Sequence, residues 1–168
     1  NDRVIWATSM VACGDADGAV TGNTRRFGAS LDKIKQVVDV RNGEIMFGLN
    51  MVVHKGKTIF VGDTSVHEYP TSEQMAEIAI STARVVRLFG FDPKVAFVSH
   101  STFGQPLTSR TKHIRNAVDI LKEKKVDFEF DGDMQPDVAL NPEYEELYPF
   151  SKIVGKANIL IMPGQHSA

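Results

Sequence analysis

Lys94-Val95-Ala96-Phe97-Val98-Ser99-His100-Ser101-Thr102-Phe103-Gly104 decides the fold class. After Lys94 come four apolar residues, the pattern of a short strand buried on both faces. The polar run that follows leads to Ile114, Ala117, Val118 and Leu121, which recur at helical spacing and define one buried helix face. A buried strand, a polar loop and an amphipathic helix form one unit of an α/β layered fold.

Upstream, Thr71 and Gln74 have capping-box spacing. Met75, Ile78, Ala79, Val85, Val86 and Phe89 give the helix they open an apolar stripe, which Gly90 and Pro93 end. Before it, Ile45–Val53 and Thr58–Val61 read as two strands of a hairpin around His54-Lys55-Gly56-Lys57, with a glycine where positive φ is expected. Nearer the start, Val4 to Ala12 reads as a helix stopped by Gly14, with Cys13 a buried small hydrophobe. Residues 18–22 read as a short buried strand. Leu31, Ile34, Val37 and Val38 predict a helix ended by Arg41-Asn42-Gly43. Downstream, Val126–Phe130 reads as a strand leading into a turn at Asp131-Gly132-Asp133, Glu143–Tyr148 as a short helix, and Ala157–Met162 as a last buried strand cut by Pro163-Gly164. The expected architecture is α/β with a largely parallel sheet and a local hairpin.

Composition narrows the function classes. The 168 residues are 42% hydrophobic and 24% charged, which suits one domain of ordinary size, or one and a fraction. Lys and Arg (19) nearly balance Asp and Glu (21), against a non-specific nucleic-acid binder. Apolar runs such as Ile159–Met162 fall far short of the ~20 residues that span a bilayer. The single cysteine excludes an internal disulfide and suits a reducing compartment, so a cytoplasmic location is expected. The opening Asn1-Asp2-Arg3-Val4-Ile5-Trp6 reads as the interior of a longer gene product.

Chemistry concentrates in the Ser99–Gly104 loop. Ligands gather at the carboxyl ends of strands in open α/β sheets, and backbone N–H groups with hydroxyls at a helix start suit a phosphate or pyrophosphate. The alternative is a polar connection that only caps the next helix. Asp15-x-Asp17-Gly18 and Asp131-x-Asp133 fail the calcium-loop template, since position 19 is Ala and position 135 is Gln. The five histidines form no HxxxH or HxH pair, so no metal site is expected. There is no G-x-S-x-G nucleophile elbow. Arg25-Arg26 reads as a solvated helix start.

Four blocks resemble the phosphate acetyl/butyryltransferase (phosphotransacetylase) family in order and spacing. They are Gly14-Asp15-Ala16-Asp17-Gly18-Ala19-Val20-Thr21-Gly22, Val95–Gly104, Asp131-Gly132-Asp133-Met134-Gln135-Pro136-Asp137-Val138-Ala139-Leu140 and Gly155-Lys156-Ala157-Asn158-Ile159-Leu160-Ile161-Met162-Pro163. Phe103-Gly104-Gln105-Pro106 departs from the "K-G-S-A" of active transferases. With Val66-His67-Glu68-Tyr69-Pro70, Phe128-Glu129-Phe130-Asp131-Gly132 and Pro163-Gly164-Gln165-His166-Ser167-Ala168, it resembles instead the transferase-like C-terminal region of large bacterial NADP-dependent malic enzymes.

The resemblance implies a three-layer α/β/α fold. It also implies that residues 1–40 are part of a discontinuous first domain, and that 41–168 are the inserted second domain plus the start of the return to the first. It implies acetyl-CoA as ligand, a homo-oligomer, and NADP and a divalent metal only in the malic enzyme half. Candidate ligands for a CoA phosphate are Ser99, Ser101, Thr102 and Gly104, with Arg110 one helical turn on; Asp131, Gly132, Asp133 and Gln135 are site-lining candidates. Acetyl transfer between CoA and phosphate needs a cationic donor beside the carbonyl and a base for the thiol. Alignment on Thr21-Gly22 puts Asp32 where the family has a catalytic Arg, and the later "N-D-L-S-R-G" segment would fall beyond Ala168. The expectation is therefore a regulatory module rather than a catalyst; the alternative is part of an active phosphate acetyltransferase.

Overall fold

The structure is a computed structural model that describes residues 2–104 and 107–164. The chain divides into two compact units, residues 1–43 and 44–168.

The first unit holds α1 (Arg3–Ala12) and α2 (Phe27–Ile34). Asp2 caps α1 by accepting from Val4 N–H at 2.9 Å, and its carboxylate also pairs with Lys33 and with Arg25 at 2.9 Å. Lys33 first, then Arg25, holds the Asp2 carboxyl well below the usual range. Three expectations fail in this unit. Residues 18–22 are irregular and Val20 is fully exposed; among the described residues no strand lies beside them to take their backbone hydrogen bonds. The second helix stops at Ile34, where Val37 and Val38 N–H turn back onto Ile34 C=O, because the β-branched Val37-Val38-Asp39-Val40 run is poor helix sequence. Cys13 is the exposed C-cap of α1, not a core residue.

The second unit is built on five strands: β1 (Leu49–His54), β2 (Lys57–Gly62), β3 (Lys94–Val98), β4 (Glu129–Met134) and β5 (Ile159–Ile161). Their spatial order is β1-β2-β5-β3-β4, antiparallel only between β1 and β2. The hairpin turn is Lys55-Gly56, both at positive φ (47° and 78°), the mirror-image turn whose twist suits two paired strands. The long helices α3 (Ser72–Leu88) and α4 (Ser109–Lys124) each start from a full capping box, Thr71 with Gln74 and Thr108 with Thr111. On the central strands, side chains alternate between the two faces. Phe60, Val95, Phe97, Ile159 and Ile161 pack with Met75, Ile78, Val86, Ile114 and Leu121 of α3 and α4. Ala96, Val98 and Leu160 pack on the other face with α5 (Pro136–Leu140), Ile153 and Val154. The sheet is thus covered on both sides, as a largely parallel sheet requires. No helix among the described residues is long and apolar enough to cross a membrane.

Two boundaries differ from the sequence reading. The fourth strand begins at Glu129 and runs through Asp131-Gly132-Asp133, which had the composition of a turn. Parallel pairing of Ala96 with Asp131 and Phe97 with Gly132 overrides local propensity, and a Cβ on Gly132 would lie 2.7 Å from Phe97 Cβ. After Asn141, only a single 3-10 turn forms, at Pro142–Tyr144, in place of a helix over 143–148.

Buried Asp63 fixes the exit from β2. Its Oδ1 accepts from Gly48, Ser65 and Val66 N–H at 2.9–3.0 Å, and its Oδ2 from His67 N–H at 3.0 Å and His67 Nδ1 at 2.8 Å. Burial pushes this carboxyl up, but the bonds from Ser65, His67 and Val66 outweigh it and leave it below its ordinary range. Asp63→Asn turns one accepting oxygen into a donor facing other donors. It is expected to cost about 2–4 kcal/mol in urea unfolding near neutral pH. A depressed carboxyl contributes stability above its unfolded pKa of about 4 and loses it as pH falls through the folded value, so the variant's deficit should vanish in strong acid.

Candidate functional site

The loop after β3 is shaped by β4. Ser99 N–H donates to Met134 C=O at 2.9 Å and Phe103 N–H to Asp133 C=O at 2.7 Å. The Asp133 carboxylate, fully buried, accepts from the Ser101 hydroxyl, from Gly104 N–H at 3.3 Å and from Arg115 Nε at 3.1 Å. Ser99 Oγ lies 3.2 Å from both Ser101 Oγ and Ser101 N. Gln135 completes the clasp: its N–H donates to Thr102 Oγ1 at 3.2 Å and its Nε2 to His100 C=O at 2.9 Å. Gly104 sits at φ +85°, where a Cβ would fall 2.2 Å from the Arg115 guanidinium, so the site requires glycine on two counts.

Beside this loop lies a cavity of about 480 Å³ at the carboxyl end of β3. The loop before α3 contributes Tyr69 and Thr71, the end of β3 contributes Ser99 and His100, and the first turns of α4 contribute Arg110 and His113. No Asp or Glu is among the described lining residues. Thr71 is the N-cap of α3 and Ser109 the first residue of α4, so the positive ends of two long helices border the same space. Arg110 adds a full charge. Such a cavity suits a phosphate or carboxylate.

The structure brings Ser99 and Arg110 to the cavity wall. It places Ser101, Thr102 and Gly104 in the clasp with Asp133 and Gln135, and none of these five is among the described lining residues. Asp131 lies on β4, half-buried, with Oδ1 accepting from Gly132 N–H at 2.9 Å. Gly132 borders a smaller hollow of about 260 Å³ with Arg115 and Lys122. Gln105 and Pro106 lie outside the described residues, as does 165–168. Sequence reasoning missed His113 and Arg115. Their place one and two turns into α4, after Arg110, was the available signal, but only tertiary packing shows what they face. Among the described residues no group of three or more His, Cys, Asp or Glu is placed to hold a metal ion.

A largely parallel α/β sheet with a cavity at the carboxyl end of its strands is the arrangement in which small-molecule ligands gather. The whole chain, residues 1–168, matches the family model for phosphate acetyl/butaryl transferase, and the chain belongs to that family. It is 46% identical over 167 residues to an NADP-dependent malic enzyme of Rhizobium meliloti (strain 1021), covering 99% of this chain and 22% of that relative. It is 31% identical over 168 residues to a phosphate acetyltransferase of Buchnera aphidicola subsp. Schizaphis graminum, covering 24% of it. The fold matches a phosphotransacetylase from Streptococcus pyogenes with a TM-score of 0.86 at 28% identity, over 97% of this chain and 51% of that one. The chain thus spans about a fifth to a quarter of the curated relatives' length and about half of the solved structure's.

The clasp predicts that Asp133→Asn frees the loop before it unfolds the domain. Native-state hydrogen exchange at the Gly104 amide should accelerate by about tenfold or more, the equivalent of one weakened charge-assisted bond, while amides of β5 keep their protection.

Proposed function

We propose that this chain is the phosphotransacetylase-like C-terminal region of an NADP-dependent malic enzyme, which converts malate to pyruvate and CO2, and that it binds acetyl-CoA as a regulatory ligand rather than transferring its acetyl group. The observation that carries this reading is the higher identity to a malic enzyme (46%) than to a phosphate acetyltransferase (31%) over nearly the same residues. The cavity at Arg110, with no carboxylate among its described lining residues, supports the ligand, since a CoA phosphate matches two helix starts and a guanidinium.

On this reading residues 41–168 are the inserted domain with the start of the chain's return, and residues 1–40 part of the discontinuous one. The parent is a cytoplasmic homo-oligomer, and NADP and the divalent metal belong to its malic enzyme half. Asp32, in place of the family's catalytic Arg, would repel acetyl phosphate, which supports a sensing role. Sensing requires only that acetyl-CoA bind two states of the enzyme unequally.

The test is a calorimetric titration of the full-length protein with acetyl-CoA, alongside malate-dependent NADP reduction. Arg110→Gln should weaken acetyl-CoA binding about tenfold or more, the value of one lost charge-assisted contact. Failure of the wild type to bind acetyl-CoA, or an unchanged affinity in the variant, overturns the site. Acetyl phosphate formation from acetyl-CoA and phosphate, with no malate oxidation, would favour the transferase.

A further inference from the structure

His113 ties the starts of α3 and α4 together inside the cavity. Its Nε2 lies 2.8 Å from Pro70 C=O and its Nδ1 3.1 Å from Ser72 Oγ, while the Ser72 hydroxyl donates to His113 C=O at 2.9 Å. The hydrogens can be counted. A carbonyl only accepts, so Nε2 carries the hydrogen of the first bond. With Nδ1 bare, the single Ser72 hydroxyl hydrogen faces two acceptors, Nδ1 and His113 C=O, and serves one of them. A second ring proton removes the conflict: Nδ1–H donates to Ser72 Oγ, Ser72 O–H donates to His113 C=O, and all three contacts are satisfied.

Positive charge surrounds the imidazole. Arg110 stands one turn away on the same helix, and the positive ends of α3 and α4 border the space. His100 from the β3 end and Tyr69 from the loop before α3 are the other titratable groups among the described lining residues. Glu73, in the first turn of α3, is a carboxylate that interacts with His113. Glu73 is already held below its ordinary range, first by a helix backbone N–H and Thr71 and then by His113. An anion bound in the cavity places negative charge opposite this wall.

We propose that His113 is an anion-binding residue of this cavity that takes up its second proton as a phosphate-bearing ligand binds, so that ligand and proton bind together. The proposal rests on the reading of the cavity as an acyl-CoA site. It selects doubly charged phosphate over a single carboxylate, since the filled site carries Arg110 and an imidazolium. By linkage, the ligand raises proton affinity as much as the proton raises ligand affinity. Protonation of a CoA phosphate runs the other way, because the bound dianion releases its proton, so the sign of proton exchange separates the two sources.

The experiment is calorimetric titration of the full-length protein with acetyl-CoA near pH 7, in two buffers of different ionisation enthalpy. The wild type should take up a net fraction of a proton, up to about one, and its Kd should rise with pH between about 6 and about 8, by at most about tenfold per unit. His113→Asn should bind more weakly and lose that uptake, whereas His100→Asn should keep it. Ser72→Ala, which removes the Nδ1 partner but leaves the ring, should reduce it and serves if His113→Asn does not fold. Binding with no proton uptake, with proton release, or with uptake lost in His100→Asn instead overturns the role of His113 and leaves the cavity reading standing. Absence of acetyl-CoA binding in the wild type at every pH overturns that reading, and the proposal with it.

Discussion

Asp133 is the constraint on which the candidate site depends. A carboxylate removed from water must be matched by donors, and here they come from three places: the Ser101 hydroxyl, the Gly104 backbone and the Arg115 guanidinium. The parallel register of β3 and β4 delivers Asp133 beneath the loop, and Gly132 permits the close approach to Phe97 that this register needs. Loop, sheet edge and the second turn of α4 are thereby one hydrogen-bonded body. The cavity wall that includes Ser99 and His100 inherits its shape from a buried ion it does not itself expose.

This arrangement separates two tasks that the hydroxyl-rich sequence had merged. Ser101, Thr102 and Gly104 bond inward, to Asp133 and Gln135. Arg110 and His113 reach the cavity from α4, and Tyr69 and Thr71 from the start of α3. A polar loop at the end of a strand thus does both things its composition permits. Part of it fastens the backbone, and part borders the space where an anion fits. On the proposed reading, the positive helix ends provide a standing field, and His113 adjusts the charge to the ligand that arrives.

Much of the sheet was legible because its signals are local. The Lys55-Gly56 turn, the Thr71–Gln74 capping box and the buried 95–98 run each report their structure through neighbouring residues. The misreadings share the opposite cause. Asp131-Gly132-Asp133 has turn composition and becomes strand because a parallel neighbour takes its backbone hydrogen bonds. Residues 18–22 have strand composition and stay irregular, with no strand beside them among the described residues. Cys13, apolar by context, falls on the exposed end of α1. In the site, the loop and Arg110 were visible in sequence. Arg115 on Asp133 and His113 between Pro70 and Ser72 were not, since each joins residues 18 to 43 positions apart.

Family membership fixes the ancestry of this arrangement, and the ligand of the cavity is the claim on which the functional account stands. Amide chemical-shift mapping of the isotope-labelled protein during addition of acetyl-CoA tests it most directly. The account predicts saturable shifts centred on Thr71, Ser99, His100, Ser109, Arg110 and His113, with the β1–β2 hairpin unperturbed. Shifts centred on the hairpin or on the Arg115–Lys122 hollow, or none at saturating acetyl-CoA, would contradict it.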